Sequence, residues 1–527
     1  MTHPEPAPDA ADGSGARETT GASSPPIEPS PPSAGGRTQE FATAGRNAIK
    51  LAASLTISWT VAFFVRFPLP RDLGPARYGI FNFADNFAAT FFSLIDLGVS
   101  TYIFREIPVR PRHASEFWGG LLVVRIAASL LLFAVMAITL AVSHHSLEVQ
   151  ETVLVFGLAQ FVTTYTTSVG ALLHAVTRVD RVAIANVAAK CAWGLGLLAA
   201  LKFWSWSLPL VALPLFISES LKLLVIYPEA HKSLDLKLRV DRAVTKTVLL
   251  ASLPFFISTG AINIGGRLNV AVLEFVIHDE REVGWFGAAQ NLASLTMLLS
   301  PLFSWVLMPL LARAKARSEE EVYKILRRTI EGLLITVIPM TLIASLGAAF
   351  WVHLAFKAAF DPAALSLRLL AFGFILIYLA IALSTLLIMT GHSWSVSMIS
   401  LGSVPMRPIL VTLLAPPCAR HFGPGGGALG AALAEIITSM GIVAAHFIPI
   451  GGRALDRRLL VAGGKSLAVA AAVTVLDHTV LARLGAPLRL LLDCVLYVVL
   501  ALASRTVQIS EIRSLVQGLR ASRAAKA

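Results

Sequence analysis

Two arginines buried in apolar stretches stand out as residues able to do chemistry. Arg66 and Arg267 each sit in a run of largely apolar residues. A charge at bilayer depth costs roughly 2.5–3.5 kcal/mol on insertion scales, so such a side chain faces protein or water rather than lipid. A guanidinium stays charged in a dry site and grips phosphate through two parallel hydrogen bonds. Arg66 lies 13 residues before Gly79, and Arg267 lies 17 before Gly284. That spacing predicts comparable depths and a shared anionic ligand carrying phosphate. Arg125 and Arg407 join them as second-rank cations. Asn263, Asn269, Gln290 and Asn291 are placed to hydrogen-bond a hydroxyl-rich ligand or to bridge helices. Asp85, beside Asn82 and Asn86, suits an ion pair with a cavity arginine or a coupling cation. The competing reading makes the arginines interfacial anchors and Asp85 a structural hydrogen-bonding group.

Other ionisable residues in apolar stretches are Asp96, Lys190, Glu219, Lys222, Glu274, Glu331, Arg368, Glu435 and Asp493. Lys222, Glu274, Glu331 and Asp493 fall near segment ends and read as snorkelling side chains. Asp96 reads as the partner of Arg105 or a cap for backbone amides. Soluble catalytic constellations are missing from the sequence. It has no Walker A pattern. His144-His145 lacks a third ligand, and His278, Asp279, Glu280 and Glu282 read as a solvated acidic turn. Cys191, Cys418 and Cys494 are far apart and odd in number, so neither a disulfide framework nor a zinc site is expected. No metal and no cofactor is expected beyond a coupling Na+ or H+.

The elements that must hold these residues follow from composition. Hydrophobic residues make up 55% of the chain, charged ones 14%, and mean hydropathy is +0.70. Soluble domains carry about 25% charged residues. Apolar runs of about 20 residues match the hydrocarbon thickness of a bilayer. The expected fold is an all-α integral membrane protein of about 14 transmembrane helices. The spans are 47–68, 79–104, 118–142, 149–175, 182–202, 206–228, 247–275, 284–311, 330–356, 363–390, 394–415, 425–449, 459–477 and 486–504. Residues 1–40, rich in Pro, Ala, Gly and Ser, cannot bury enough apolar area to order themselves and read as a disordered cytoplasmic tail. With the N-terminus inside, the inner loops collect 19 Lys and Arg against seven in the outer loops. This bias places both termini in the cytoplasm and assigns the net charge of +12 to the inner face rather than to nucleic-acid binding.

Ser318 with Glu321 forms a capping box, and the segment to Arg328 reads as an amphipathic helix lying on the cytoplasmic membrane surface. An internal repeat is also visible. Tyr78–Phe87 aligns without gaps with Val283–Leu292 at an offset of 205, with Gly, Phe, Ala and Asn coinciding and Asp85 opposite Gln290. Six spans separate the copies, which predicts a parallel repeat with a ligand site between two lobes. The expected division is 41–246 and 247–450 as six-helix lobes, 451–505 as two additional helices and 506–527 as a cytoplasmic tail.

The run Leu73-Gly74-Pro75-Ala76-Arg77-Tyr78-Gly79-Ile80-Phe81, followed by Asp96-Leu97-Gly98 and Arg105-Glu106, resembles the start of a polysaccharide flippase of the Wzx type. That family belongs to the multidrug/oligosaccharidyl-lipid/polysaccharide exporter superfamily. The resemblance implies two parallel-repeat bundles of six helices plus two C-terminal helices, an alternating-access cavity, and transport of a polyprenyl diphosphate-linked oligosaccharide across a bacterial inner membrane. With such a substrate, Arg66 and Arg267 are expected from their placement to bind the diphosphate; no enzymatic activity is expected, and polysaccharide-assembly proteins are candidate partners. Sister functions remain open: a drug or cation antiporter, or a peptidoglycan-precursor flippase. An antiporter for cations would want carboxylates and aromatics at its site. A membrane glycosyltransferase would need a large extramembrane loop, whereas the outer loops here are about 5–12 residues by the span lengths above.

Overall fold

The computed structural model describes residues 60–504, without 62–63, 66, 97, 109, 111–112, 177, 237–239, 300–306, 308–310, 312–313, 316 and 452–455. The proposed tails, Arg66 and most of the first span lie outside the described residues. Among the described residues the chain is all helical, without a strand. Fifteen α-helices follow one another: α1 Pro68–Phe92, α2 Val99–Glu106, α3 His113–Val142, α4 Leu147–Ala175, α5 Val179–Trp204, α6 Leu208–Leu234, α7 Arg242–Ile277, α8 Glu280–Ala293, α9 Glu319–Leu346, α10 Ala348–Phe356, α11 Ala363–Met389, α12 Ser393–Phe422, α13 Gly426–Ile450, α14 Arg457–Thr479 and α15 Ala486–Ala503. Ten of them are long and apolar enough to cross a bilayer.

Helix starts follow from local chemistry. Asp241 accepts from the amides of Ala243 and Val244 to open α7, and Asp456 accepts from Leu459 at 2.7 Å to open α14. Such caps satisfy amides that have no partner within the helix. Ser318 accepts from the Glu321 amide at 3.2 Å and opens α9. Here the structure corrects one expectation. The acidic and basic turns after Ser318 do not form a separate helix on the surface but run without a break into the apolar span to Leu346. One continuous helix avoids the two additional ends, with their unpaired amides and carbonyls, that a separate surface helix would create.

Three spans read as single are broken, among them 330–356, which divides at Gly347 into α9 and α10. The stretch 79–104 divides at Ser93–Gly98 into α1 and α2, and α8 gives way to a 3₁₀ turn over Ser294–Leu299. The core explains what these breaks serve. At the charge-poor end of the molecule, where the loops 143–146 and 278–279 lie, one apolar core joins both halves of the chain. It runs from Phe83 and Phe87 through Phe156 and Val211 to Phe286, Phe360 and Ala431. At the charge-rich end there are two separate cores. One gathers Val99, Phe117, Leu172 and Ile226; the other gathers Leu311, Leu326, Leu386 and Leu459. A fourth cluster, including Ile338, Val473 and Tyr497, ties α14 and α15 to α9.

Candidate functional site

The motif residues of the first helix each have a structural role. Gly74 lies at a break inside α1 with φ 75°, and Gly98 precedes α2 with φ 70°. Both are left-handed positions that a side chain strains. Arg77 bonds Glu148 at 2.7 Å and the carbonyl of Ser205, which fixes α1 to the charge-poor loops. The Tyr78 hydroxyl accepts from Asn291 on α8. Gly79 packs directly on Gly284. The two repeat copies found in the sequence are therefore each other's packing partners, and their contact closes this end.

Asn291 is accordingly a bridge between the repeats. Asp85 lies half-buried on α1 and accepts from Gln160 of α4 at 3.5 Å. Asn86 donates to the Asn82 carbonyl at 2.9 Å. These positions make a half-buried polar face on α1.

The arginines separate into two kinds. Arg125 is fully buried on α3. It donates to Ser168 and to the Asp96 backbone carbonyl at 3.0 Å, and its ion pair with the Asp96 carboxylate is 3.3 Å. Asp96 also accepts from Ser100 at 2.6 Å. Its partner is thus Arg125; the side chain of Arg105 lies outside the described ones. Arg407 on α12 is buried against Glu435 of α13 at 2.8 Å, and Glu435 in turn accepts from Asn269 of α7. Both guanidinium groups hold helices together, and buried pairs of this kind are costly to break. Lys190 stacks over Trp193 at 4.7 Å, and Lys222 pairs with Glu219 at 3.4 Å.

Arg267 is different. It is half-buried and has no hydrogen bond or ion pair with any described residue. Asn263, one turn away on the same face of α7, is exposed, and Gly266 fronts open space. Four residues further on, α7 is sealed: Val270, Ala271 and Leu273 are buried in the shared core. Arg267 therefore stands where the more exposed stretch of α7 gives way to the shared core. No contact among the described residues joins it to Asp85, which bonds Gln160, or to Asn291, which bonds Tyr78. A second, apolar groove of about 600 Å³ opens between Phe64, Phe67, Leu295, Ile343 and Trp351, with Arg71 at its edge.

Sequence reasoning overlooked several partners. Gln160 and Ser168 gave no signal, because uncharged polar residues in a span are unremarkable until a charge is found opposite them; Tyr78 was marked by the repeat and the motif but not as the partner of Asn291. Glu282 read as part of a solvated turn. It is buried, and its two oxygens accept from the amides of Gly425 and Ala428 at 2.8 Å each, capping α13. The run Gly425-Gly426-Gly427 could have signalled a helix start open to a carboxylate.

A family model described as polysaccharide biosynthesis protein matches residues 44–315, just over half of the chain. No curated protein sequence matches it. Among solved structures, the lipid II flippase MurJ in an inward closed conformation superposes with a TM-score of 0.69 at 12% identity, covering 89% of this chain and all of that one. An inward-facing multidrug resistance MATE family transporter of the MOP superfamily follows with a TM-score of 0.54 at 15% identity, over 74% of this chain and 98% of its own. An outward-facing one gives 0.51 at 16%, over 76% and 94%. At these identities the likeness carries the fold: a multi-span membrane transporter architecture.

Proposed function

Because the chain belongs to the polysaccharide biosynthesis protein family, we propose that it flips a polyprenyl diphosphate-linked oligosaccharide across the bacterial inner membrane by alternating access. The observation that carries this reading is Arg267, half-buried where α7 enters the shared core and without a partner among the described residues. A half-buried cation with no partner among the described residues suits an anionic ligand, and a diphosphate meets its planar fork. Asn263, exposed one turn away, supplies a hydrogen-bonding group for a sugar. The groove beside Phe64 and Trp351 suits an apolar tail.

In this reading the charge-rich end and both termini face the cytoplasm. The Gly79–Gly284 contact then lies toward the outside and closes that end. The chain moves its substrate without chemical change, and a coupling Na+ or H+ supplies direction. Glycosyltransferases and a polymerase of polysaccharide assembly are its expected partners in the pathway.

The test is transport by the purified protein in liposomes loaded on one side with a fluorescent polyprenyl diphosphate oligosaccharide. An impermeant sugar-cleaving enzyme outside reports arrival. Protein-dependent cleavage is expected, competed by unlabelled substrate. If lipid II alone is moved, the peptidoglycan-precursor reading replaces this one. If an organic cation alone is moved, the antiporter reading does.

A further inference from the structure

The last two helices hold a charge cluster that the Arg267 site does not use. Asp477, near the end of α14, is fully buried and takes a two-pronged salt bridge from Arg489 on α15. His478 stands 3.4 Å from the same carboxylate but is largely exposed. Asp493 lies one turn beyond Arg489 on the same face of α15 and is 1% exposed. Neither of its carboxylate oxygens has a hydrogen-bond partner among the described residues. It faces Asp477, whose oxygens are engaged by Arg489.

The balance of charge is what matters. Two buried carboxylates share one guanidinium, so the cluster is one positive charge short. An isolated buried carboxylate is far too costly to persist, and like charges side by side raise that cost. The remaining walls offer little compensation. Leu342, Ser345 and Leu346 of α9 line the site without charge. Tyr497 and Cys494 are the other titratable neighbours on α15, and Arg368 of α11 stands across the pocket, exposed. The pocket itself, about 280 Å³, reaches Asp477, His478 and Arg489 from the charge-poor side. The apolar surroundings of Asp493, with Val473 and Tyr497 buried beside it, lack the set of oxygen ligands that a hard metal cation requires.

We propose that Asp477 and Asp493 form an exchangeable proton-binding site between α14 and α15, separate from the two repeat halves. The proton resides on Asp493 and bridges to Asp477, and Arg489 neutralises the charge that remains. The pocket gives it a route to the charge-poor face. The proposal deepens the transporter reading by locating a coupling ion, but its assay reads the proton itself and stands whether or not the oligosaccharide is the cargo.

The experiment is infrared difference spectroscopy of the full-length protein in lipid bilayers, titrated from acidic to alkaline bath. The parent should show a protonated-carboxyl C=O band that fades on alkalinisation. Asp493→Asn should lose one carboxyl's worth of that band. Asp477→Asn should lose it too, because the freed Arg489 then pairs with Asp493 and ionises it. That second loss keeps the test informative if Asp493→Asn fails to fold. A band identical in the parent and both folded variants, or one that ignores the bath, overturns the proposal. So does a band abolished by NaCl and restored by KCl, which would mark a sodium site.

Discussion

Gly79 and Gly284 meet backbone to backbone, each occupying the space where the other's side chain would grow. A Cβ on Gly79 would fall 3.0 Å from the Gly284 nitrogen, and one on Gly284 would fall 3.2 Å from the Gly79 nitrogen. Each would also overlap a carbonyl, that of Glu280 or that of Pro75, and these two residues are themselves 205 apart. The contact is therefore two-fold symmetric, built from the same position of both repeats. Small residues allow helices to approach closely where no water drives them together.

Replacing Gly284 by Ala should force α1 and α8 apart at the charge-poor end. Overpacking costs about 1–3 kcal/mol, which corresponds to roughly a five- to 150-fold shift away from the closed arrangement. Spin labels at Ser207 and Lys357 should report a longer distance. An unchanged distance distribution would mean that the glycine contact does not hold this end shut.

Arg267→Ala should impair transport severely and Arg267→Lys partly, since Lys keeps the charge without the fork. Losing a hydrogen bond to a charged group costs about 1.5–3 kcal/mol, or roughly ten- to a hundredfold in affinity. Transport per folded molecule is the measure. Parental rates in both variants would leave Arg267 a mere anchor.

For Arg125 and Asp96 the two single changes should differ. Asp96→Asn strands a fully buried guanidinium, and breaking such a pair costs about 3–5 kcal/mol; the partial exposure of Asp96 argues for the lower end. Arg125→Met removes the buried charge and leaves a carboxylate that can reach water, so it should cost less. Thermal unfolding in detergent compares them, and equal losses would refute the asymmetry.

Acid should loosen the closed end. His145 packs between Phe83 and Phe275, with ring centroids at 5.4 and 5.7 Å, and its Nε2 is buried without a partner. Burial, and secondarily the nearby His278, holds this imidazole below its usual 6.5. A group depressed on folding binds its proton better when released, so its stabilising effect is present above about 6.5 and is lost as pH falls below it. The Ser207–Lys357 distance should lengthen in acid, and His145→Phe should abolish that dependence. A response surviving in His145→Phe would point to another group.

Much of this architecture is written in the residues. Hydropathy locates 363–390 and 425–449 almost where α11 and α13 run, because length and apolarity alone define a span. The 205-residue offset exposes the repeat, since Gly79 and Gly284 are irreplaceable where backbones touch. Pairings are a different matter. Arg125, Asp96, Arg407 and Glu435 are each recognisable as costly charges, yet nothing in one dimension says that they neutralise each other. Breaks also escape hydropathy: residues 93–98 are as apolar as a helix, and only the left-handed Gly98 betrays the turn. Asp477 was overlooked because it closes its span, where charges are ordinary, and its partner Arg489 lies beyond the next turn. Arg66 and its match to Arg267 lie outside the described residues.

The cap that Glu282 places on α13 sets how the molecule can move. Both oxygens of a residue in the first turn of α8 are bonded to the amides that begin α13. Those two helices are thereby welded at one tip, so α8 cannot tilt without levering α13 along. Any opening of the charge-poor end must then pivot elsewhere, and the weakest stretch of α8 is its tail, where the ladder loosens into the 3₁₀ turn at Ser294–Leu299. The carboxylate turns a pair of helices into a single lever, with its fulcrum at that 3₁₀ turn.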